Sequence, residues 1–150
     1  MNDFDFGSLT SAASDAKPTN PIEVFQSVPS LDGTPNDLWS GQSSALEQWH
    51  DDRDKKDVLV SLHTGAGKSL VGLIIAQSLV NEGVPNVIYA CATNDLVLQT
   101  EKEVSSRLSF LCSTRAGGRF SNDNFENGTG FCITNYQALF NSRTKFRGDM

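Results

Sequence analysis

A lysine and a serine follow a glycine-rich turn near the middle of the chain, in the run T-G-A-G-K-S at residues 64–69. Glycines at positions 65 and 67 let the backbone turn sharply and point its N–H groups inward, where phosphate oxygens accept them. Lys68 supplies a positive charge for the β- and γ-phosphates, and Ser69 offers a hydroxyl to Mg²⁺. The run predicts a P-loop for ATP or a related triphosphate, with Lys68 and Ser69 as catalytic candidates and contacts from Thr64, Gly65, Ala66, Gly67, Lys68, Ser69 and Leu70.

A P-loop needs a strand before it and a helix after it, so that the helix N-terminus adds its dipole to the anion site. Residues 58–62 are apolar and β-branched at two positions, which predicts a buried strand. Residues 68–82 predict a helix that Gly83 and Pro85 terminate. The alternative is an ordinary glycine turn that opens a helix, with Lys68 solvated; the strand–loop–helix context favours the P-loop.

The other elements alternate between strand and helix. Apolar residues recur at helical spacing from Leu38 to Trp49. Strand candidates follow at 87–91, 108–113 and 131–134, helix candidates at about 95–107 and 136–140, and a Gly-, Asn- and Ser-rich stretch at 115–130 is predicted to be mostly loop. This alternation predicts the α/β class, with a parallel sheet flanked by helices on both faces.

Composition bounds the domain organisation and the partners. The chain has 150 residues, which is enough for one domain. Residues 1–35 contain few large aliphatic side chains and are predicted to be a flexible, disordered tail, and residues 36–150 the compact portion. A net charge of −6 argues against a broad basic surface for nucleic acid, although it is compatible with a motor that contacts the backbone at a few loops.

The cysteines and the N-terminus indicate the compartment. Cys91, Cys112 and Cys132 are odd in number and form no C-x-x-C pair, so buried reduced thiols are expected rather than disulfides or a metal site. The chain starts without a cationic segment, and no apolar run approaches about 18 residues. We expect no membrane span, and a cytoplasmic protein, or a nuclear one in a eukaryote.

Four segments together resemble superfamily 2 helicases and translocases of the DEAD/DEAH-like type. Leu62 stands where the strict P-loop has its first glycine, and residues 62–69 are similar to the x-x-T-G-x-G-K-[ST] form of that family. Residues 92–99 resemble its P-T-x-x-L-x-x-Q motif, with alanine in place of proline. Residues 116–118 are similar to its glycine pair, and residues 133–139 to V-T-T-[PY]-Q-x-L. The resemblance implies the N-terminal part of a first RecA-like motor domain over residues 36–150.

The resemblance also implies a nucleic-acid track, with DNA favoured over RNA. Strand-end hydroxyls and glycines contact the sugar-phosphate backbone in such a track, so little sequence preference is expected. The residues themselves also allow a helix N-cap at position 93, a plain turn at 117–118 and a cap at 134. The contacts implied are Thr93, Asn94, Gln99, Gly117, Gly118 and Thr134.

Adenine recognition is implied upstream of the P-loop. Residues 38–42 are similar to the L-R-x-x-Q start of many such motors, and the Gln42 amide can pair with the N6 and N7 edge of adenine. Trp39 replaces the family's arginine and is a candidate for stacking on the base, and Phe25 is a second aromatic candidate. Core packing of one helix is the alternative for Trp39 and the preferred interpretation for Trp49.

ATP hydrolysis in this class needs an aspartate on Mg²⁺ and a glutamate that positions water, after a hydrophobic strand. No such string occurs in the 150 residues. The chain is therefore expected to be an N-terminal piece of a longer motor, inactive by itself, with a second motor domain downstream or in trans. Two alternatives are a truncated or regulatory nucleotide-binding protein without ATPase activity and an unrelated P-loop enzyme such as a small-molecule kinase. The segments around Thr93 and Gln137 disfavour the kinase.

Overall fold

The computed structural model describes residues 16–30, 37–116, 119–120 and 123–141. A π-helical turn at Val104–Leu108 directly follows the helix Asn94–Glu103. In chain order the elements are α1 (Pro21–Gln26), α2 (Ser40–Asp51), α3 (Lys68–Glu82), β1 (Ile88–Cys91), α4 (Asn94–Glu103), β2 (Cys112–Ala116), β3 (Arg119–Phe120), α5 (Asp123–Glu126), β4 (Phe131–Asn135) and α6 (Tyr136–Phe140).

The strands form one sheet in the order β1-β4-β2-β3. Strands β1, β4 and β2 are parallel, and β3 pairs antiparallel with β2. The central strand β4 is buried at all five positions, because both of its faces are covered. The α/β class and the helix-flanked parallel sheet are therefore confirmed.

Helix α3 has the bounds that the sequence predicts, Lys68–Glu82, and Gly83 is its C-cap in the left-handed conformation (φ 87°). Apolar residues lie on more than one side of this helix. Val71, Leu73 and Ile74 are almost fully buried. The helix packs between the sheet and α1, so both of these sides are covered. A helix that is hydrophobic all round needs such burial.

The prediction of a buried strand at residues 58–62 is wrong. These residues have no regular secondary structure, and none of the described strands pairs with them. The Leu59 side chain is 94% exposed. A strand forms only where a neighbouring backbone completes its hydrogen bonds. The next strand along the chain is β1, and among the described strands it pairs only with β4.

The prediction of a flexible tail is wrong for residues 16–30, whereas 1–15 and 31–36 lie outside the described residues. Asn20 caps α1 by accepting from the backbone N–H of Ile22 (2.9 Å), and Pro21 occupies the first turn. Val24 and Phe25 are buried in the core. The side chains of Ser78 and Asn81 on α3 donate to the carbonyls of residues 19 and 18 (2.5 and 2.7 Å).

Three other predicted boundaries shift. Helix α4 ends at Glu103 rather than at 107, and Ser109 in the left-handed conformation (φ 53°) ends the π-helical turn. The strand expected at 108–113 lies at Cys112–Ala116, because this left-handed turn delays it. Short elements β3 and α5 lie within the predicted loop at 115–130. The strand at 131–134 and the helix at 136–140 are confirmed, with Asn135 added to β4.

The three thiols are free, and Cys91 and Cys132 are buried. Burial raises the pKa of the Cys132 thiol to about 12 and that of the Cys112 thiol to about 11, since a thiolate would lose its hydration. Burial raises the pKa of Cys91 as well. Among the described residues, no helix combines the length and apolar character that crossing a membrane requires.

Candidate nucleotide-binding site

The loop before α3 has the backbone of an anion site. Gly65 and Gly67 are both left-handed, with φ of 83° and 75°, a conformation that costs glycine little. The backbone N–H of Ala66 donates to the carbonyl of His63 (3.2 Å), which closes the turn. Gly67 is the N-cap of the 15-residue helix α3, and no side chain caps this end. The first N–H groups of α3 are thus available to an anion.

The side chains around this loop divide into two groups. Thr64, Lys68 and Ser69 are exposed, so the ammonium and the hydroxyls are accessible to a ligand. Ala66 is 4% exposed, and Leu70 packs against the core. This turn combines backbone N–H donors, the Lys68 ammonium and an uncapped helix N-terminus, a set that suits the phosphates of a nucleotide. The exposed Ser69 hydroxyl is suited to bind Mg²⁺.

Gln42 lies against this loop from helix α2. Its Nε2 donates to the carbonyl of Ala66 (2.9 Å), and its Oε1 accepts from the backbone N–H of Trp39 (3.1 Å). A Cβ atom at Gly67 would lie 2.3 Å from Nε2, so a larger residue there would displace the Gln42 amide, and the left-handed φ of 75° would strain its backbone. The side chain is 6% exposed. Its amide is therefore engaged by the protein, and adenine recognition by Gln42 stays a prediction.

The aromatic candidates lie in different environments. The Trp39 side chain is 67% exposed beside Gln42, so stacking on a base stays a prediction. Phe25 is 9% exposed within the core, which contradicts its assignment as an adenine contact. Trp49 is buried as predicted, and the Arg53 guanidinium lies 5.0 Å from the centre of its ring.

Tyr89 on β1 contacts the site and was not predicted. A Cβ atom built on Gly72 of α3 would lie 2.9 Å from Cε2 of Tyr89, so the ring lies directly on this helix one turn after Ser69. Burial raises the pKa of Tyr89, and the Ser69 side chain partly offsets this by lowering the pKa. No spacing in the sequence links these two residues, because only the packing of α3 on β1 brings them together.

The carboxyl ends of β1 and β4 bring together a second group of polar residues. Thr93 caps α4 by accepting from the N–H of Leu96 (3.2 Å), and Asn135 caps α6 by accepting from the N–H of Ala138 (2.7 Å). The Asn135 side chain donates to that of Asn94. Asn135 was part of a quoted motif but was not predicted as a site residue. Its position just before a helix indicates a cap and could have identified it.

The predicted nucleic-acid contacts are only partly assembled. Thr93, Asn94 and Gln99 are exposed, although Gln99 lies further along α4. Thr134 is fully buried, and its hydroxyl donates to the carbonyl of Arg115 (3.1 Å). The Thr134 hydroxyl is thus engaged within the sheet, and a nucleic-acid contact by this residue stays a prediction. Gly117 and Gly118 lie outside the described residues.

Comparison with known families decides the relationship. The family model of the type III restriction enzyme, res subunit, matches residues 36–149, which is more than half of the chain. The chain belongs to this res-subunit family. No curated protein and no solved structure matches the chain significantly.

Membership of the res-subunit family establishes the general class. The matched region is a superfamily 2 helicase-like, N-terminal RecA-like domain, as the four motif segments predicted. The family is one of ATP-dependent, helicase-like motor domains, whose members use ATP and Mg²⁺ and interact with nucleic acid. In the described parts of this member, His, Cys, Asp and Glu side chains form no group of three or more that would hold a metal ion alone.

Proposed function

We propose that the chain binds Mg·ATP through the loop at residues 64–70, as the ATP-binding part of a motor that acts on nucleic acid. One observation carries the proposal most directly: two left-handed glycines precede an uncapped, 15-residue helix. Backbone N–H groups and a helix N-terminus at one turn form an anion site. Thr64, Ala66 and Leu70 complete the loop that holds the phosphates.

Lys68 and Ser69 have separate roles in this proposal. The Lys68 ammonium contacts the β- and γ-phosphates and offsets their charge. The neutral Ser69 hydroxyl oxygen would be a ligand of Mg²⁺, and the phosphate oxygens would supply the negative charge. The bound Mg²⁺ would neutralise charge on the phosphoryl group during transfer to water.

The nucleic acid in this proposal contacts the carboxyl edge of the sheet. Thr93 and Asn94 are exposed at the N-terminus of α4, where free N–H groups and a hydroxyl suit a phosphate. Gln99 extends the contact along α4. The name of the matched family, a restriction enzyme subunit, favours DNA over RNA. Helicase or translocase action and the second motor domain belong to this proposal.

Lys68→Ala tests the nucleotide site. Loss of one charge-assisted contact removes roughly 1.5–3 kcal/mol, which is about 10- to 100-fold in affinity. The measurement is a fluorescence titration of the chain with an N-methylanthraniloyl ATP analogue and Mg²⁺.

Lys55→Ala is the matched control, because Lys55 is a 64% exposed lysine paired with Asp52 on the connector after α2. It should bind the analogue like the unaltered chain. Full affinity in the Lys68→Ala variant would contradict the P-loop assignment.

A further inference from the structure

Helix α6 exposes two aromatic rings beside the carboxyl edge of the sheet. Tyr136 is 51% exposed and Phe140 is 82% exposed. Residues four apart lie on the same side of a helix, about one turn from each other, so both rings project from one side of α6. Burying an aromatic ring is favourable, and a pair of rings left at the surface is therefore a candidate contact for a partner.

These rings lie next to the proposed nucleic-acid contacts. Tyr136 directly follows Asn135, the last residue of β4, whose side chain donates to that of Asn94. Asn94 begins α4, and Thr93 caps this helix. In the parallel pairing of β1 with β4, Cys91 is opposite Asn135, so α4 and α6 both start from the same edge of the sheet. A strand held by its phosphates at the start of α4 would thus pass close to α6.

The charge of the segment that contains the two rings suits the same partner. Residues 136–147 contain Arg143, Lys145 and Arg147 and no aspartate or glutamate, in a chain whose net charge is −6. Surfaces that bind single-stranded nucleic acid combine cations, which attract the phosphates, with aromatic rings, which stack on the bases. Composition and position therefore favour a nucleic-acid strand over a purely apolar partner.

We propose that Tyr136 and Phe140 form a base-stacking surface for a single strand of DNA, beside the backbone contacts at Thr93 and Asn94. The inference rests on the nucleic-acid part of the proposed function and adds contacts to the bases. The bases of a duplex are already stacked on each other, so the two rings favour a single strand. Every base has a face that can stack, so sequence preference stays small.

Tyr136→Leu and Phe140→Leu test the surface, because leucine remains apolar but cannot stack on a base. Fluorescence anisotropy of a short, labelled oligo(dT) strand gives its dissociation constant for each chain. We expect each variant to bind the strand about 10-fold more weakly, as loss of one stacking ring commonly does. The affinity for the ATP analogue should not change.

Variants that keep the rings are the matched controls. Tyr136→Phe and Phe140→Tyr should bind oligo(dT) like the unaltered chain, because stacking depends on the ring and not on the hydroxyl. Leu59→Ala controls for the loss of an exposed apolar side chain elsewhere, since Leu59 is 94% exposed. It should also leave the dissociation constant unchanged.

An abasic strand of the same length separates stacking from backbone contact, because it has the phosphates and lacks the bases. The unaltered chain should bind it about 10-fold more weakly than oligo(dT). A chain with both leucine substitutions should bind the two strands equally, since neither ring is left to distinguish them.

The outcomes separate this inference from the proposed function. Equal weakening of oligo(dT) and abasic-strand binding by the leucine variants overturns the stacking role, because it indicates an effect on the backbone contacts. Unchanged oligo(dT) binding in both variants also overturns it and leaves those contacts intact. If the unaltered chain binds neither strand, the inference and the nucleic-acid part of the proposed function fail together, while titration with the ATP analogue tests the nucleotide site independently.

Discussion

Gln42 is a polar side chain in the interior, and its bonds show how such a residue is accommodated. Both of its amide atoms have backbone partners, the carbonyl of Ala66 and the N–H of Trp39. Removing this amide would leave two backbone groups without their partner, at a cost of roughly 1–3 kcal/mol each where they are buried. At the residue scale, Gln42 therefore supports the shape of the loop that precedes Lys68.

Gln42→Leu should accordingly weaken the binding of ATP and GTP alike, by about 10-fold for each, because it disturbs the loop rather than a base contact. Titrations with fluorescent analogues of both nucleotides measure this. Gln48→Leu is the control, since Gln48 is exposed on the same helix and its side chain donates to the Ser44 hydroxyl (3.1 Å) rather than to the loop. A selective loss of ATP affinity, with GTP unaffected, would instead support adenine recognition by Gln42.

At the element scale, the two segments that flank the loop differ. Helix α3 was predicted at its observed bounds because its signals are local: the turn before it, the apolar pattern within it and Gly83 after it. Residues 58–62 have the composition of a strand, yet pair with no described strand. A helix completes its backbone hydrogen bonds within itself, whereas a strand depends on another segment.

Amide hydrogen exchange tests this difference. Backbone N–H groups of residues 58–62 should exchange at least about 100-fold faster than those of β4 (Phe131–Asn135), because an unpaired segment exchanges without unfolding and a central strand must open first. Exchange followed by peptide mass spectrometry provides the measurement, with the α3 peptides as an internal protected reference. Slow exchange at 58–62 would contradict the unpaired conformation.

At the scale of the whole molecule, the core has no ionised cysteines at neutral pH. Cys91 and Cys132 are buried in adjacent strands of one sheet. Burial raises the pKa of the Cys132 thiol from 9.0 to about 12. Below pH 9 this thiol is protonated in both the folded and the unfolded chain. Above pH 9 the unfolded chain loses the proton and the folded chain keeps it, so stability decreases as the pH rises toward 12.

Cys132→Ala should therefore reduce the pH dependence of the free energy of unfolding between pH 9 and 11, by about 1 kcal/mol per pH unit. Urea unfolding under reducing conditions measures it. At pH 7 the same variant should be less stable than the unaltered chain by about 1 kcal/mol, owing to the smaller side chain. A pH dependence equal to that of the unaltered chain would show that Cys132 ionises in the folded state near its ordinary pKa.

Local sequence was sufficient for the loop at residues 64–70, the bounds of α3, the helix at 136–140 and the alternation of strands and helices. It was sufficient because turns, caps and periodicity are encoded within a few residues. The same locality explains the identification of Thr93 as a possible helix cap, which the bond to Leu96 confirms. The resemblance to superfamily 2 helicases also followed from short ordered motifs, and the family match to residues 36–149 confirms it.

Tertiary structure alone decided what contacts what. Phe25 is buried because α1 packs against α3. Thr134 is fully buried because it lies in the central strand. The engagement of Gln42 by Ala66 depends on the packing of α2, and the position of the Tyr89 ring on Gly72 depends on the packing of β1. These contacts join residues far apart in the chain, and their energies come from burial and from hydrogen bonds that form only once the segments meet.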